Sequence, residues 1–221
     1  MEIAAQLLIY TSILGFILGF VVTKTNFCTM GAVSDWVNIG DLSRFKAWML
    51  AAAVAILGVT ILDFMSFFDI NDSRIPYRNS VLAWPRYMLG GLMFGVGMTY
   101  ASGCGNKVLI RVGGGNLKSL IVLLVAGLMA YVMTRTDFYG IVFHSWMNPI
   151  SLDLAKIGIL DQSLPTIVSS VFSITNSVYF NFIIGLTVSL TMIFLIFKSG
   201  KFIKNFDNVL SGFVVGSIVV F

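Results

Sequence analysis

Charged residues are scarce in this chain of 221 amino acids: only 11% are Asp, Glu, Lys or Arg, while 57% are hydrophobic. Soluble domains usually carry about 25% charged residues, so this composition excludes an ordinary soluble protein. The net charge of +4 is too diffuse to indicate a nucleic-acid partner. The sequence therefore predicts an all-α, polytopic membrane protein.

Cysteine is also rare, with only two copies in the chain. Cys28 and Cys104 form neither a CxxC pair nor a framework dense enough for a disulfide-stapled secreted fold. We interpret them as single thiols in separate settings. We expect no metal and no cofactor, and we do not expect an enzyme.

Long apolar runs make up most of the chain, and a run needs about 20 residues to cross a bilayer core. The predicted runs are 4–22, 47–62, 84–100, 117–133, 178–197 and 209–221. The sequence thus predicts about six transmembrane spans within one membrane domain, residues 1–221. Because the last run is short and stops without a polar flank, the chain is interpreted as a fragment, the N-terminal part of a longer transporter, or one part of a split protein.

Two segments between these runs are polar or broken. Residues 66–79 predict a polar loop, and residues 137–176 are interrupted by Pro149, Pro165 and several charged residues. For the second segment we expect one or two amphipathic or interfacial helices. With the N-terminus outside, most of the cations fall on the inner side of the membrane, and the positive-inside rule favours that orientation.

The segment 101–116 has an unusual sequence for its place between two spans, ASGCGNKVLIRVGGGN, with five glycines. Each glycine loses about 1 kcal/mol of helix propensity relative to alanine, and lipid tolerates a broken backbone only where protein or water covers it. The segment also carries Cys104, Lys107 and Arg111. It therefore predicts a thiol, two cations and open amide groups beside a membrane-embedded cavity or at its mouth.

An internal direct repeat relates this segment to an earlier one. Four features recur in order, at a shift of 76 residues or of 75 for the last: Gly15 and Gly91, Gly19 and Gly95, Cys28 and Cys104, Gly40-Asp41-Leu42 and Gly115-Asn116-Leu117. Each predicted unit, about 10–65 and 86–135, has a GxxxG span, a Cys-bearing re-entrant or short-helix hairpin, and a turn into the next span. The pair Gly15 and Gly19 predicts close helix packing, because small residues let helix backbones touch in lipid.

The chemistry of these hairpins favours an anion, because cations and exposed amides both present positive charge. A thiol is a weak S–H donor with a polarisable sulfur, which suits a sulfur-containing ligand. The candidate substrate-path residues are Cys28, Cys104, Gly103, Gly105, Lys107 and Arg111. Two alternatives stay open: the thiols are small packing residues, or the two cations extend to the headgroups.

At these residues the sequence resembles the YeeE/YedE family of sulfur-compound transporters. The resemblance rests on Phe27-Cys28-Thr29-Met30-Gly31-Ala32 and on residues 94–119 around Gly103-Cys104-Gly105, and it covers about residues 10–135. It implies a multi-pass permease of the bacterial inner membrane that takes up thiosulfate or a related inorganic sulfur anion. Cys28 and Cys104 match cysteines that relay the anion in that family. The family's usual Gly-Glu-Gly reads Gly113-Gly114-Gly115 here, so a carboxylate is missing.

Two other functions stay open at this stage. The chain could be a non-transporting half or subunit that needs a partner, or a membrane thiol redox protein, although the latter would be expected to carry a vicinal or CxxC thiol pair. The expected partners are a thiosulfate-like anion and the lipid bilayer. A cytoplasmic sulfur-carrier protein and a second transporter half are also compatible with the resemblance.

Overall fold

Helices account for nearly all the regular structure in the computed structural model, which describes residues 2–66, 80–157, 159, 162–172, 178–198 and 200–220. Most of the predicted loop 66–79 lies outside these residues. The main helices are α1 Glu2–Thr25, α2 Thr29–Ile39, α3 Ser43–Phe64, α4 Trp84–Tyr100, α5 Gly105–Gly113, α6 Leu117–Arg135, α7 Ser145–Met147, α8 Leu164–Phe172, α9 Val178–Phe197, α10 Gly200–Ile203 and α11 Phe206–Val220. Two short strands are β1 Val81–Leu82 and β2 Leu152–Asp153.

Among the described residues, four helical stretches are long and apolar enough to cross a membrane: Ala4–Ile39, Ser43–Phe64, Leu117–Arg135 and Val178–Phe197. The first contains both α1 and α2, while α11 is a shorter apolar helix. The 17 residues of α4 are near the lower limit for a span. Large apolar side chains point outward on these helices, with Phe16 78% and Leu124 65% exposed. Such surfaces suit lipid, and the predicted all-α polytopic membrane fold is confirmed.

The chain forms two compact units, Met1–Phe67 with Gly185–Phe221, and Phe68–Ile184. In the first unit, α3 and α11 pack at a distance that only glycine permits. A Cβ at Gly212 would lie 2.8 Å from the carbonyl oxygen of Ala47, and one at Gly216 would lie 2.6 Å from that of Ala51. Close backbone approach of this kind strengthens helix association in lipid. The glycine pair of α11 therefore lets this helix pack directly against the backbone of α3.

The GxxxG pair of α1 does not have the packing expected for it. Within the described part of the chain, no atom outside the local helix lies within 4 Å of a Cβ placed at Gly15 or Gly19. The sequence pattern was therefore wrong about close packing at these two glycines. The pattern identifies a face that a neighbouring helix can approach closely, but it does not identify the neighbour.

The second unit contains the segment for which interfacial helices were expected. Part of this segment is held to the residues around Val81 and Trp84 by an antiparallel strand pair, in which Val81 lies opposite Asp153, and by two side-chain hydrogen bonds. Trp84 Nε1 donates to Ile150 O (3.1 Å), and Gln162 Nε2 donates to Val81 O (2.8 Å). Among the described residues of 137–176, α8 is the longest helix, and the rest are shorter helical segments, the strand β2 and connecting turns.

Candidate functional site

Cys28 lies at the N-cap of α2, where the chain turns out of α1. Asn26 has a left-handed φ of 52°, and Phe27 N donates to Val22 O at 3.2 Å, which closes the end of α1. Cys28 itself is extended, with φ −153° and ψ 129°, and its carbonyl accepts the first bond of α2 from Ala32 N at 2.9 Å. The Cys28 residue is buried, with 6% of its surface exposed.

Cys104 lies at the N-cap of α5 in a turn of the same construction. Ser102 has a left-handed φ of 56°, and Gly103 N donates to Met98 O at 3.1 Å. Cys104 has an extended ψ of 167°, and its carbonyl accepts from Val108 N at 3.0 Å. Cys104 is buried, with 7% of its surface exposed. Each of these positions follows its counterpart in the first turn by 76 residues, so the repeat extends to backbone geometry.

The turns at the far ends of α2 and α5 also correspond. Gly40 and Gly115 both have a left-handed φ, of 73° and 83°, which a residue with a Cβ rarely adopts. Asp41 Oδ1 then accepts from Ser43 N at 3.0 Å, and Asn116 Oδ1 accepts from Lys118 N at 3.0 Å. The two short helices thus begin at a cysteine and end at an equivalent turn. The outer limits of the repeat units, about 10–65 and 86–135, stay a prediction.

Cysteine is a poor choice for these N-caps on stability alone. Asn, Asp, Ser and Thr are preferred because their side chains bond the open N–H groups of the first turn, which contributes about 1 kcal/mol. Asn116 does this for α6, where it accepts from both Lys118 N and Ser119 N. Neither cysteine side chain caps its helix in this way. First-turn N–H groups therefore present partial positive charge beside each thiol.

The two predicted cations of the second hairpin turn back onto the thiol turn. A Cβ at Gly103 would lie 3.1 Å from Lys107 Cβ, so this glycine makes room for the lysine stem. Arg111 Nη1 donates to Ser102 O at 3.0 Å. Both side chains are half-buried, which favours a role at the turn over extension to the headgroups. Gly105 begins α5, and a Cβ there would contact no atom within 4 Å among the described residues.

The first hairpin has a cation that the sequence did not single out as functional. Arg44, in the first turn of α3, forms an ion pair with Asp35 of α2, with Nη1 and Oδ2 3.3 Å apart. A Cβ at Gly31 would lie 3.0 Å from the same Nη1 and 3.7 Å from Cys28 Cβ. The guanidinium and Cys28 therefore flank one small space. The sequence did contain one indication of this ion pair, namely the opposite charges of Asp35 and Arg44 on either side of Gly40.

A cavity of about 450 Å³ opens at the other end of α2. Its lining includes Gly40, Asp41, Ser43 and Lys46, and not Cys28. The wide space of this hairpin therefore lies at the α2–α3 turn, while the thiol is packed within its own turn. The cavity offers no separate metal site, since no cluster of three or more His, Cys, Asp or Glu occurs in the part of the chain that the structure describes.

The fold and the two turns define a multi-pass membrane protein with buried thiols next to cationic side chains. The chain belongs to the sulphur transport family, whose model matches residues 24–220. The predicted resemblance to sulfur-compound transporters is thereby confirmed.

Two curated relatives are similar to the chain over part of their length. The thiosulfate transporter TsuA of Escherichia coli is 31% identical over 129 residues, which cover 58% of this chain and 35% of that protein. The thiosulfate transporter TsuA of Spirochaeta thermophila is 28% identical over 151 residues, which cover 66% of this chain and 43% of that protein. The chain thus matches less than half the length of either relative. No solved structure is significantly similar to it.

Proposed function

We propose that this protein is a permease of the bacterial inner membrane that takes up thiosulfate or a related inorganic sulfur anion. The observation that carries the proposal is a buried thiol at a helix N-cap beside a cationic side chain, a combination that occurs at both Cys28 and Cys104. The names of both curated relatives support thiosulfate as the anion.

Each turn offers separate groups for the two ends of such an anion. Thiosulfate has a terminal sulfur and several oxygens, and the S–H group of a cysteine is a weak donor that suits the polarisable sulfur. The oxygens suit the first-turn N–H groups and the neighbouring cation, since charge-assisted hydrogen bonds are the stronger ones. In the second hairpin that cation is Lys107 or Arg111. Binding and release involve no covalent change, so we propose a transporter rather than an enzyme.

Two weak sulfur contacts suit transport better than one strong site. An anion that is held too tightly in a membrane path does not leave it, so conduction requires binding sites that are favourable yet moderate. A thiol contributes a modest interaction, and the neighbouring cation is partly exposed at both turns, which weakens its hold on the anion. We propose that Cys28 and Cys104 are successive contacts of the anion, with Gly103 and Gly105 shaping the backbone of the second.

A second candidate is a transporter half that works only with a partner polypeptide. The observation in its favour is that the chain matches 35% and 43% of the two curated relatives. Co-expression with candidate partner chains would distinguish the two readings. Uptake by this chain alone supports the complete permease, and uptake only with a partner supports the half.

Thiosulfate uptake in cells that lack other sulfur uptake systems tests the proposal directly. Cys104→Ala should reduce uptake of labelled thiosulfate and growth on thiosulfate by tenfold or more, and Cys28→Ala should also reduce both. Thr99→Ala is a matched control, because the Thr99 hydroxyl lies close to the same turn but bonds to Gly95 O of its own helix (3.0 Å). Unchanged uptake by Cys104→Ala, at equal protein level in the membrane, would refute the role of this thiol.

A further inference from the structure

The guanidinium of Arg44 lies over the first turn of α2, next to Cys28. Glycine at position 31 makes this arrangement possible, since a Cβ there would lie only 3.0 Å from Arg44 Nη1. The same Cβ would lie 3.7 Å from Cys28 Cβ, so the thiol and the cation border the same space. Arg44 itself comes from α3, the next helix, and not from the helix that the thiol begins.

The ion pair with Asp35 leaves much of the Arg44 guanidinium available. The side chains of Arg44 and Asp35 are 36% and 23% exposed, and one contact of 3.3 Å joins them. A guanidinium has five N–H donors, and its planar shape binds oxyanions through two bonds at once. Partly exposed ion pairs of this kind contribute little net stability, so an incoming anion can replace the carboxylate.

We propose that Arg44 and Cys28 form an anion-binding site of the first hairpin, with Asp35 as the built-in counter-ion that the anion displaces. The ligand class is a small sulfur oxyanion, whose sulfur contacts the Cys28 thiol and whose oxygens contact the Arg44 guanidinium. The identity of this ligand rests on the proposed function. The site itself rests on the ion pair, the glycine gap and the buried thiol.

Charge-selective labelling of Cys28 tests the site without any need for transport. In a Cys104→Ala background Cys28 is the only cysteine, because the chain has two. Purified protein is labelled with anionic and with cationic methanethiosulfonate reagents of similar size, and the ratio of the two rates is measured. Arg44→Gln should lower the anionic-to-cationic ratio about tenfold, and Asp35→Asn should raise it, because a charge a few ångströms away acts strongly where water is limited.

Two further variants distinguish the effect of the position of the Arg44 guanidinium from the effect of any nearby positive charge. Gly31→Ala keeps every charge but pushes the Arg44 guanidinium away, so it should lower the ratio several-fold. Lys24→Gln removes an exposed cation of the same segment and should leave the ratio unchanged. If Lys24→Gln lowers the ratio as much as Arg44→Gln does, the effect is a general field and the site is refuted. A folded protein in which neither reagent reaches Cys28 would also refute it, since an anion site must be accessible.

Thiosulfate uptake, measured on the same Arg44 and Asp35 variants with Cys104 restored, separates this inference from the proposed function. Arg44→Gln should raise the KM for thiosulfate more than it lowers the maximal rate, because the guanidinium binds the anion. If the labelling ratio changes in Arg44→Gln but the protein transports no thiosulfate, the anion site is supported and the permease is refuted. Normal thiosulfate uptake, together with a labelling ratio that does not change in Arg44→Gln, would support the permease and refute the anion site.

Discussion

The two thiol hairpins share a backbone but obtain their cations from different elements. Both have a left-handed residue two positions before the cysteine, a cysteine at the N-cap, and a left-handed glycine after the short helix. In the first hairpin the cation is Arg44 of α3, whereas in the second it is Lys107 and Arg111 of α5. The turn is therefore repeated, while the charge beside it is supplied in two ways.

The different origin of the two cations is reflected in the residues at positions related by 76 residues. Phe27 and Gly31 correspond to Gly103 and Lys107, so the large and the small residue change places. In the second hairpin the small Gly103 admits the lysine stem, and in the first the small Gly31 admits the guanidinium of Arg44. Different glycines thus make room for a cation over each thiol turn. This recurrence favours a functional need for positive charge there, because shared ancestry alone would preserve the same cation.

The hairpins also differ in how that charge is balanced. Arg44 is paired with Asp35, while Arg111 takes the position equivalent to Asp35 and has no ion pair within the described ranges of the chain. A cation with no carboxylate beside it attracts an anion more strongly than one already paired. The second hairpin should therefore bind the substrate more tightly than the first.

The largest effect is expected when the positive charge of Arg111 is removed. Arg111→Gln should raise the KM for thiosulfate about tenfold or more, since hydrogen bonds to charged groups are worth about 1.5–3 kcal/mol and 1.4 kcal/mol is tenfold. Arg44→Gln should raise it less, because Asp35 already competes for that cation. Uptake kinetics of the two variants at matched membrane levels measure the ratio. An equal or larger effect of Arg44→Gln would contradict the ranking of the two hairpins.

The next effect concerns the backbone that the hairpins share. Asn26→Val or Ser102→Val should destabilise the folded protein by about 1–3 kcal/mol, because a β-branched residue is strained in the left-handed region. Thermal unfolding in detergent should show a lower Tm for both variants. Gly at either position is the control and should not lower the Tm, since glycine adopts this conformation freely. A loss at only one of the two positions would mean that the turns are not equivalent.

Much of this architecture could be predicted because it depends on local sequence. The bounds of α4, Trp84–Tyr100, and the end of α9 at Phe197 coincide with the predicted spans, since long apolar runs bounded by polar residues define them. The two thiol turns were expected because glycine and polar residues interrupt the runs at regular spacing. The fold class and the position of both candidate turns therefore follow from composition and periodicity.

The pair Arg44–Asp35 could not be predicted in the same way. It depends on how α2 folds back against α3, and the angle between two helices is set by packing that no local pattern encodes. The same reason explains why the glycines of α1 were expected to be packed, whereas the structure has close packing at other glycines, among them Gly212 and Gly216 of α11. The strand pair escaped prediction because two residues, Val81 and Leu82, are too short to show a period.

A smaller effect is expected at the turns that begin the next spans. Asn116→Ala should destabilise the protein by about 1 kcal/mol, because it removes the bonds to Lys118 N and Ser119 N that cap α6. Asp41→Ala should have a similar effect on α3. Exchanging the two residue types, with Asp41→Asn and Asn116→Asp, should change the Tm little if the turns are equivalent. A large loss from Asp41→Asn would indicate that the charge of Asp41, rather than its bonds to Ser43 N and Ser43 Oγ, is what matters.

The smallest effect is expected from giving Arg111 the kind of counter-ion that Arg44 already has. The resemblance to sulfur-compound transporters predicts Gly-Glu-Gly at the positions of Gly113-Gly114-Gly115. A Cβ at Gly114 would make only ordinary contacts, the shortest 3.5 Å to Arg111 O, so Gly114→Glu should fold. The new carboxylate should raise the KM for thiosulfate up to about fivefold, since a partly exposed pair is worth about 0–1 kcal/mol. Gly114→Gln, with the same shape and no charge, should leave the KM unchanged. If both variants raise it equally, size and not charge balance distinguishes the two hairpins.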